Sequence, residues 1–201
     1  MKAEARSVEM TDPSLPGWLF PPEQGFFAQD LDHIPELPPH TELIDGSLVF
    51  VSPQASFHTV TLFLLERELH RATSTAYRVR REMSVTLAPR QRPEPDLVVV
   101  HASALKAPEQ TTFQAQDVVL TVEVVSPESE LRDRERKPQL YAAAGIPHFW
   151  RVENVSGHPT VYVYELDPAL RSYVPTGIYH AKLQVSVPFD IDIDLTEVDN
   201  F

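Results

Sequence analysis

The chain contains no cysteine, which excludes disulfides and thiolate metal sites. No stretch approaches the ~20 apolar residues that a membrane-spanning helix needs. Met1-Lys-Ala-Glu-Ala-Arg6 has no apolar h-region behind it, so no signal peptide is expected, and the expectation is a soluble cytoplasmic protein. Basic residues are scarce at both ends. Residues 1–45 hold two basic and nine acidic side chains, and residues 186–201 hold none and five. Residues 46–185 carry fifteen of each. The net charge of −12 argues against loose nucleic-acid binding through bulk charge, but the negative excess sits at the termini. Within the middle, Arg67, Arg71, Arg78, Arg80, Arg81, Arg90 and Arg92 are opposed only by Glu68 and Glu82. That stretch reads either as a solvated helix and hairpin or as a phosphate track.

What the chain has is enough length, 201 residues, for one domain with a sizeable core. Asp117-Val-Val-Leu-Thr-Val-Glu-Val-Val-Ser-Pro127 reads as a strand buried on both faces, with Val118, Leu120, Val122 and Val124 on one side. Val119, Thr121, Glu123 and Val125 take the other. A carboxylate inside such a strand loses hydration worth several kcal/mol unless something compensates it. A buried arginine, a hydrogen-bond network or a metal ion would serve.

Residues 1–39 carry seven of the nineteen prolines and read as an extended arm, disordered over 1–14, with a short helix around 23–32. Trp18, Leu19, Phe20, Phe26, Phe27, Leu31 and Ile34 are too apolar to float, so the arm is expected to pack on the domain or at a homodimer contact. Residues 40–201 form the domain. His40 to Val51 reads as a hairpin turning at Asp45-Gly46. Residues 55–72 suit a helix whose inward stripe is His58, Leu62, Leu65 and Leu69. Strands follow at 76–81, 83–88 and 96–101, then a loop of helical tendency at 102–116. Pro138 suits a first helical turn, so a short helix is placed at 138–144, ended by Gly145, after a separate turn at 130–136. Strands at 147–152, 160–166, 172–179 and 183–188 precede an acidic tail. The order predicts a single α/β domain with a mixed sheet.

If the strands holding Asp96 and Glu123 are neighbours, the two carboxylates can share a hard cation such as Mg²⁺, which keeps several waters. Such an ion would activate water for attack on a phosphoryl group, and Lys137 can reach back over the site to orient that water. Each residue also has a plain reading. Asp96 alone is a turn residue after proline, Lys137 a surface charge, Glu42 a solvated strand residue and His58 a hydrogen-bonded core histidine.

Glu42-Leu-Ile-Asp-Gly46, Ser52-Pro53, His58, Pro95-Asp96-Leu-Val-Val-Val, Val122-Glu123-Val-Val-Ser-Pro127, Asp133, Lys137, Tyr141, Ala142 to Pro147 and Trp150 come in an order that resembles the Uma-two family. That family groups endonucleases of the PD-(D/E)XK superfamily, and the likeness spans about residues 40–155. The resemblance implies a restriction-endonuclease-like core, with a mixed sheet flanked by helices and a divalent metal, Mg²⁺ or Mn²⁺, on the acidic residues. Asp96 matches the motif aspartate and Glu123 the second acid. Val125 stands where the motif lysine is expected, and Lys137 on the following helix matches its replacement. Glu42 would complete the metal shell with the Val124 carbonyl and waters, and His58 and Tyr141 would support the ligands. DNA would be the substrate. A non-catalytic nucleic-acid-binding or protein-interaction module on the same scaffold is the competing reading.

Overall fold

The structure, a computed structural model, describes residues 16–201. The disorder expected over residues 1–14 lies outside the described residues. Twelve strands and two α-helices follow one another: β1 (Glu42–Ile44), β2 (Ser47–Val49), α1 (Ser56–Ala72), β3 (Tyr77–Arg81), β4 (Ser84–Thr86), β5 (Leu97–His101), β6 (Thr112–Gln114), β7 (Val118–Val124), α2 (Lys137–Ala143), β8 (His148–Val155), β9 (His158–Asp167), β10 (Ser172–Tyr179), β11 (Lys182–Val185) and β12 (Ile191–Asp194). Six of the strands form the central sheet in the order β10-β9-β8-β7-β5-β3. Only β7 and β8 run parallel there. A parallel neighbour requires the chain to cross over the sheet, and α2 lies on that crossing.

Each face of the sheet has its own core. Leu97, Val99, Leu120, Val122, Val124 and Trp150 pack with Leu62, Leu65 and Leu69 of α1 and with Ile191 and Ile193 of β12. Val98, Val100, Val118 and Phe149 pack on the opposite face with Tyr141 of α2, Val85 of β4 and Phe113 of β6. All seven residues of β7 are buried, as its composition requires. The alternation along β7 differs from expectation at one point. The register against β5 slips between Val99 and Val100, and this bulge moves Val118 to the second core, away from Leu120 and Val122.

The β1–β2 hairpin turns at Asp45 (φ 55°) and Gly46 (φ 79°), the left-handed pair that a two-residue turn matching strand twist requires. A Cβ on Gly46 would come within 2.3 Å of the Arg90 guanidinium, so a side chain there would displace Arg90 as well as strain the left-handed backbone. In α1 the expected stripe is the buried one, with His58 5% exposed and Leu62, Leu65 and Leu69 fully buried.

Two strands differ from the sequence expectation. β6 lies in the stretch read as a loop and pairs in parallel with β4. β12 lies in the acidic tail and pairs with β11, burying Ile191 and Ile193 while Asp192 and Asp194 face out. The turn and helix around Pro138 are one continuous piece. A π-helical turn, Arg132–Arg136, runs straight into α2. Proline lacks an N–H and its ring crowds the carbonyl four residues back, so a widened turn just before it relieves both.

The arm is stitched down by its middle. Phe26 and Ala28 pack on Leu43 of β1, and the Phe26 amide donates to the Gly46 carbonyl at 2.8 Å. Buried Arg92 donates to the Ala28 carbonyl at 3.0 Å and to Asp32 at 2.7 Å. The short helix appears as a 3₁₀ turn over Ala28–Asp32. Of the arm's aromatics, Phe26 is buried. Trp18 is half-buried beside Phe50, and Phe20 stays 45% exposed, because no described residue covers it.

Candidate active site

The end of the sheet where β5 begins and β7 ends opens into a cavity of about 440 Å³. Glu42, Glu94, Asp96, Glu123, Asp133 and Lys137 all line it. Register places Asp96 and Glu123 together. Leu97 pairs with Val122, so the next positions outward on these antiparallel strands are Asp96 and Glu123. Asp96 is held from two sides. Its Oδ2 accepts from the Val124 amide at 2.6 Å, and its Oδ1 lies 3.1 Å from Nε2 of His58 on α1.

Lys137 is 4% exposed, and its ammonium is surrounded by carboxylates. Nζ lies 2.8 Å from Glu42 Oε1, 3.1 Å from Glu123 Oε2 and 3.3 Å from Asp133 Oδ1. The other Glu123 oxygen accepts from the Tyr141 hydroxyl at 2.5 Å. Glu42 Oε1 also accepts the Glu94 amide at 2.8 Å, which ties β1 to the segment entering β5. The π-turn lets Asp133 and Lys137 both point inward while Arg134 and Arg136 lie at the surface and Arg132 lines the cavity. Arg136 in turn pairs with Asp45, its Nε donating to Oδ2 at 2.8 Å, and so pins the Lys137 segment to the hairpin turn.

The electrostatics follow from this crowding. Burial works against charge on Lys137, but Glu123, Glu42 and Asp133 outweigh it and raise its pKa well above the ordinary value. One ammonium cannot balance the carboxylates around it. Burial raises Glu123 well above the usual carboxylate range; Lys137 opposes it, and the charges of Asp133, Asp96 and Glu42 add to it. Asp133 rises for the same first reason, burial. Tyr141 is pushed far up by burial and then by Glu123, so it stays a donor. At the cavity mouth His40 lies 2.5 Å from Glu94. Burial raises Glu94, and its hydrogen bond to Glu94 raises His40.

The structure thus brings together Asp96, Glu123, Lys137, Glu42, His58 and Tyr141. Val124 lines the cavity and supplies its amide to Asp96. The sequence did not single out Glu94 with His40, whose contact spans 54 positions, and marked Asp133 only within the matching string. An i, i+4 acid–lysine pair is common on helix surfaces, so nothing in the sequence set Asp133 apart.

The donor set is all hard oxygen, and it carries more negative charge than Lys137 offsets, which suits a divalent cation of the Mg²⁺ type. Among the described residues no three His, Asp or Glu side chains are already gathered as a ligand set. An ion held here would share two carboxylates with the protein groups they already bond, and would complete its shell with main-chain oxygen and water.

A mixed sheet flanked by helices, with facing acids at one end and a lysine delivered by the crossover helix, has the architecture of the restriction-endonuclease-like class. The family model described as "Putative restriction endonuclease", Uma2, matches residues 28–196, and the chain belongs to that family. The match begins inside the proline-rich arm, near the point where Phe26 and Ala28 dock on β1. A crystal structure from Anabaena variabilis ATCC 29413, described as "a putative nuclease belonging to DUF820", is similar in fold. It has a TM-score of 0.66 at 16% identity, over 86% of this chain and 96% of that one. No curated protein matches. No helix among the described residues is long and apolar enough to cross a membrane.

Proposed function

We propose that the chain is a metal-dependent endonuclease that hydrolyses phosphodiester bonds in DNA, with Asp96, Glu123 and Lys137 as its catalytic residues. The observation that carries this reading is the buried Lys137 ammonium, 3.1 Å from Glu123 on the strand beside Asp96. Asp96, Glu123 and the Val124 carbonyl would hold Mg²⁺ or Mn²⁺, with Glu42 as an outer ligand. When bound, such an ion polarises a phosphoryl oxygen and lowers the pKa of water. The chain's own groups do the rest. His58 and the Val124 amide fix the direction of the Asp96 carboxylate. Tyr141 fixes that of Glu123. Lys137 stays protonated, so it can orient an attacking water and offset charge developing on the phosphate, but cannot accept a proton. The protein is read as acting in the cytoplasm as a homodimer.

The competing reading, a non-catalytic binding module, is favoured by one observation: both oxygens of Asp96 and of Glu123 already have protein partners. Plasmid cleavage with Mg²⁺ and Mn²⁺ separates the two. Cleavage by the wild type that is lost in Asp96→Ala is expected. A melting temperature that rises with metal, without cleavage of any DNA or RNA offered, would favour the module.

A further inference from the structure

The arginine-rich stretch of residues 67–92 is not absorbed by the site. Of the fifteen lysines and arginines among the described residues, ten lie within ion-pairing distance of a carboxylate. Arg67, Arg71, Arg81 and Arg92 are in that group. Arg78, Arg80, Arg90, Lys106 and Arg171 are not. Arg90 lies over the hairpin turn, and Arg171 at the tip between β9 and β10. The other three gather at one place, the free edge of the sheet. Arg78 and Arg80 stand on β3, and Lys106 faces Arg80 across a surface cavity of about 390 Å³ floored by Met83, Leu105 and Phe113.

Two features set this patch apart from scattered surface charge. First, the guanidinium groups are anchored. Arg78 Nη1 donates to the carbonyls of Tyr77 and Thr75 at 2.6 and 2.8 Å, and Arg80 Nη1 donates to the Val79 carbonyl at 2.8 Å. Their Nε and Nη2 groups have no partner among the described residues. That leaves on each a side-on fork of two parallel donors, the geometry that grips a phosphate bidentately. Second, the patch is aligned with the cleft. Arg78 and Arg80 pair with Val100 and Val98, which are covered by the second core, so the two side chains emerge at the free edge, and it is along β3 itself that this edge leads to the cleft. The two arginines are about 6.6 Å apart along β3. Beyond Arg81, Glu82 already lines the cavity, and its amide donates to the Asp96 carbonyl at 3.0 Å.

We propose that Arg78, Arg80 and Lys106 form the landing surface for the sugar–phosphate backbone of the nucleic-acid strand whose phosphodiester enters the Asp96–Glu123 cleft. This rests on the nuclease reading for its substrate and adds where the strand lies. On a chain of net charge −12, binding would depend on this local patch and on no diffuse field. It also accounts for a basic edge strand on an acidic protein.

The test uses the full chain in EDTA with a fluorescent DNA oligonucleotide, and measures affinity against salt. Arg78→Ala with Arg80→Ala is expected to weaken binding and to flatten the log–log salt slope by about 2, roughly one unit for each phosphate no longer neutralised. Arg171→Asn, at the opposite edge of the sheet, is expected to leave the slope unchanged. Cleavage in Mg²⁺ or Mn²⁺ is measured in parallel. A flattened slope with no cleavage by any of the proteins would uphold the landing surface and remove the nuclease reading. Cleavage with an unaltered slope in the double variant would keep the nuclease and overturn the landing surface. Unaltered affinity with a rise in mass above that of the wild type in light scattering would overturn the proposal and show that the arginines only guard the strand edge. Absence of salt-dependent binding by the wild type would also overturn the proposal.

Discussion

At the scale of single residues, Glu123 concentrates the chemistry and the cost. Its pKa is raised in the folded chain by burial, so the fold holds its proton to higher pH than the unfolded chain does. Its contribution to stability is therefore full below the ordinary glutamate value and is lost as pH rises through the raised one. Glu123→Gln removes that dependence. Lys137 keeps Glu42 at 2.8 Å and Asp133 at 3.3 Å, so the substitution does not strand the ammonium. The variant is expected to melt about as the wild type does near pH 5 and a few degrees above it near pH 8, a gap of roughly 1 kcal/mol. Metal-dependent cleavage should be lost in the same variant. Scanning calorimetry in metal-free buffer across that range measures the first effect, and a gap that narrows as pH rises would contradict it.

Among elements, the β1–β2 hairpin and the π-turn before α2 depend on each other. Arg136 holds Asp45 below the usual carboxylate range, first through its hydrogen bond and helped by Gln91. Asparagine tolerates the left-handed backbone at position 45 as well as aspartate does, so Asp45→Asn drops the charge and keeps the turn. The pair is half-exposed, so little change in melting temperature is expected. Cleavage should fall several-fold, because Lys137 is the next residue after Arg136; an unchanged rate in a gel assay would show that α2 positions Lys137 unaided. Elements of this kind were unevenly legible in the sequence. A carboxylate in an otherwise apolar run marked Glu123, and β7 is buried throughout. The leucine stripe marked α1. β12 was missed because two aspartates in four residues read as a tail, although Ile191 and Ile193 alternate with them and are buried. β6 was missed because its three residues have no period of their own and are strand only by pairing with β4. The bulge that moves Val118 to the other core arises from pairing with β5, and one strand read alone cannot reveal it.

For the whole molecule, the arm decides how the acidic end of the sheet is closed. Deleting residues 1–37 takes Phe26 and Ala28 from Leu43 and leaves Arg92 without the Ala28 carbonyl and Asp32. Arg92 keeps its Nε bond to Ser84 but loses its carboxylate partner, and with the lost packing about 10 °C of melting temperature is the expected cost. Leu19, Phe20, Phe50 and Val51 stay exposed near this region, and the deletion should also change the mass seen in light scattering if they meet in a homodimer. A truncated chain that melts and scatters like the full one would leave the arm without either role. The parallel pairing of β7 with β8 reaches further, into how the protein is made. The acids of the cleft leave the ribosome by Asp133 and the lysine by Lys137, but the crossing that carries the lysine closes only when β8, His148–Val155, docks beside β7. At about 5–20 residues per second, that is one to a few seconds after β7 has emerged. A nascent chain released or stalled in that interval carries every carboxylate and no seated ammonium. On the nuclease reading, such a chain is expected to cleave nothing until β8 has been made.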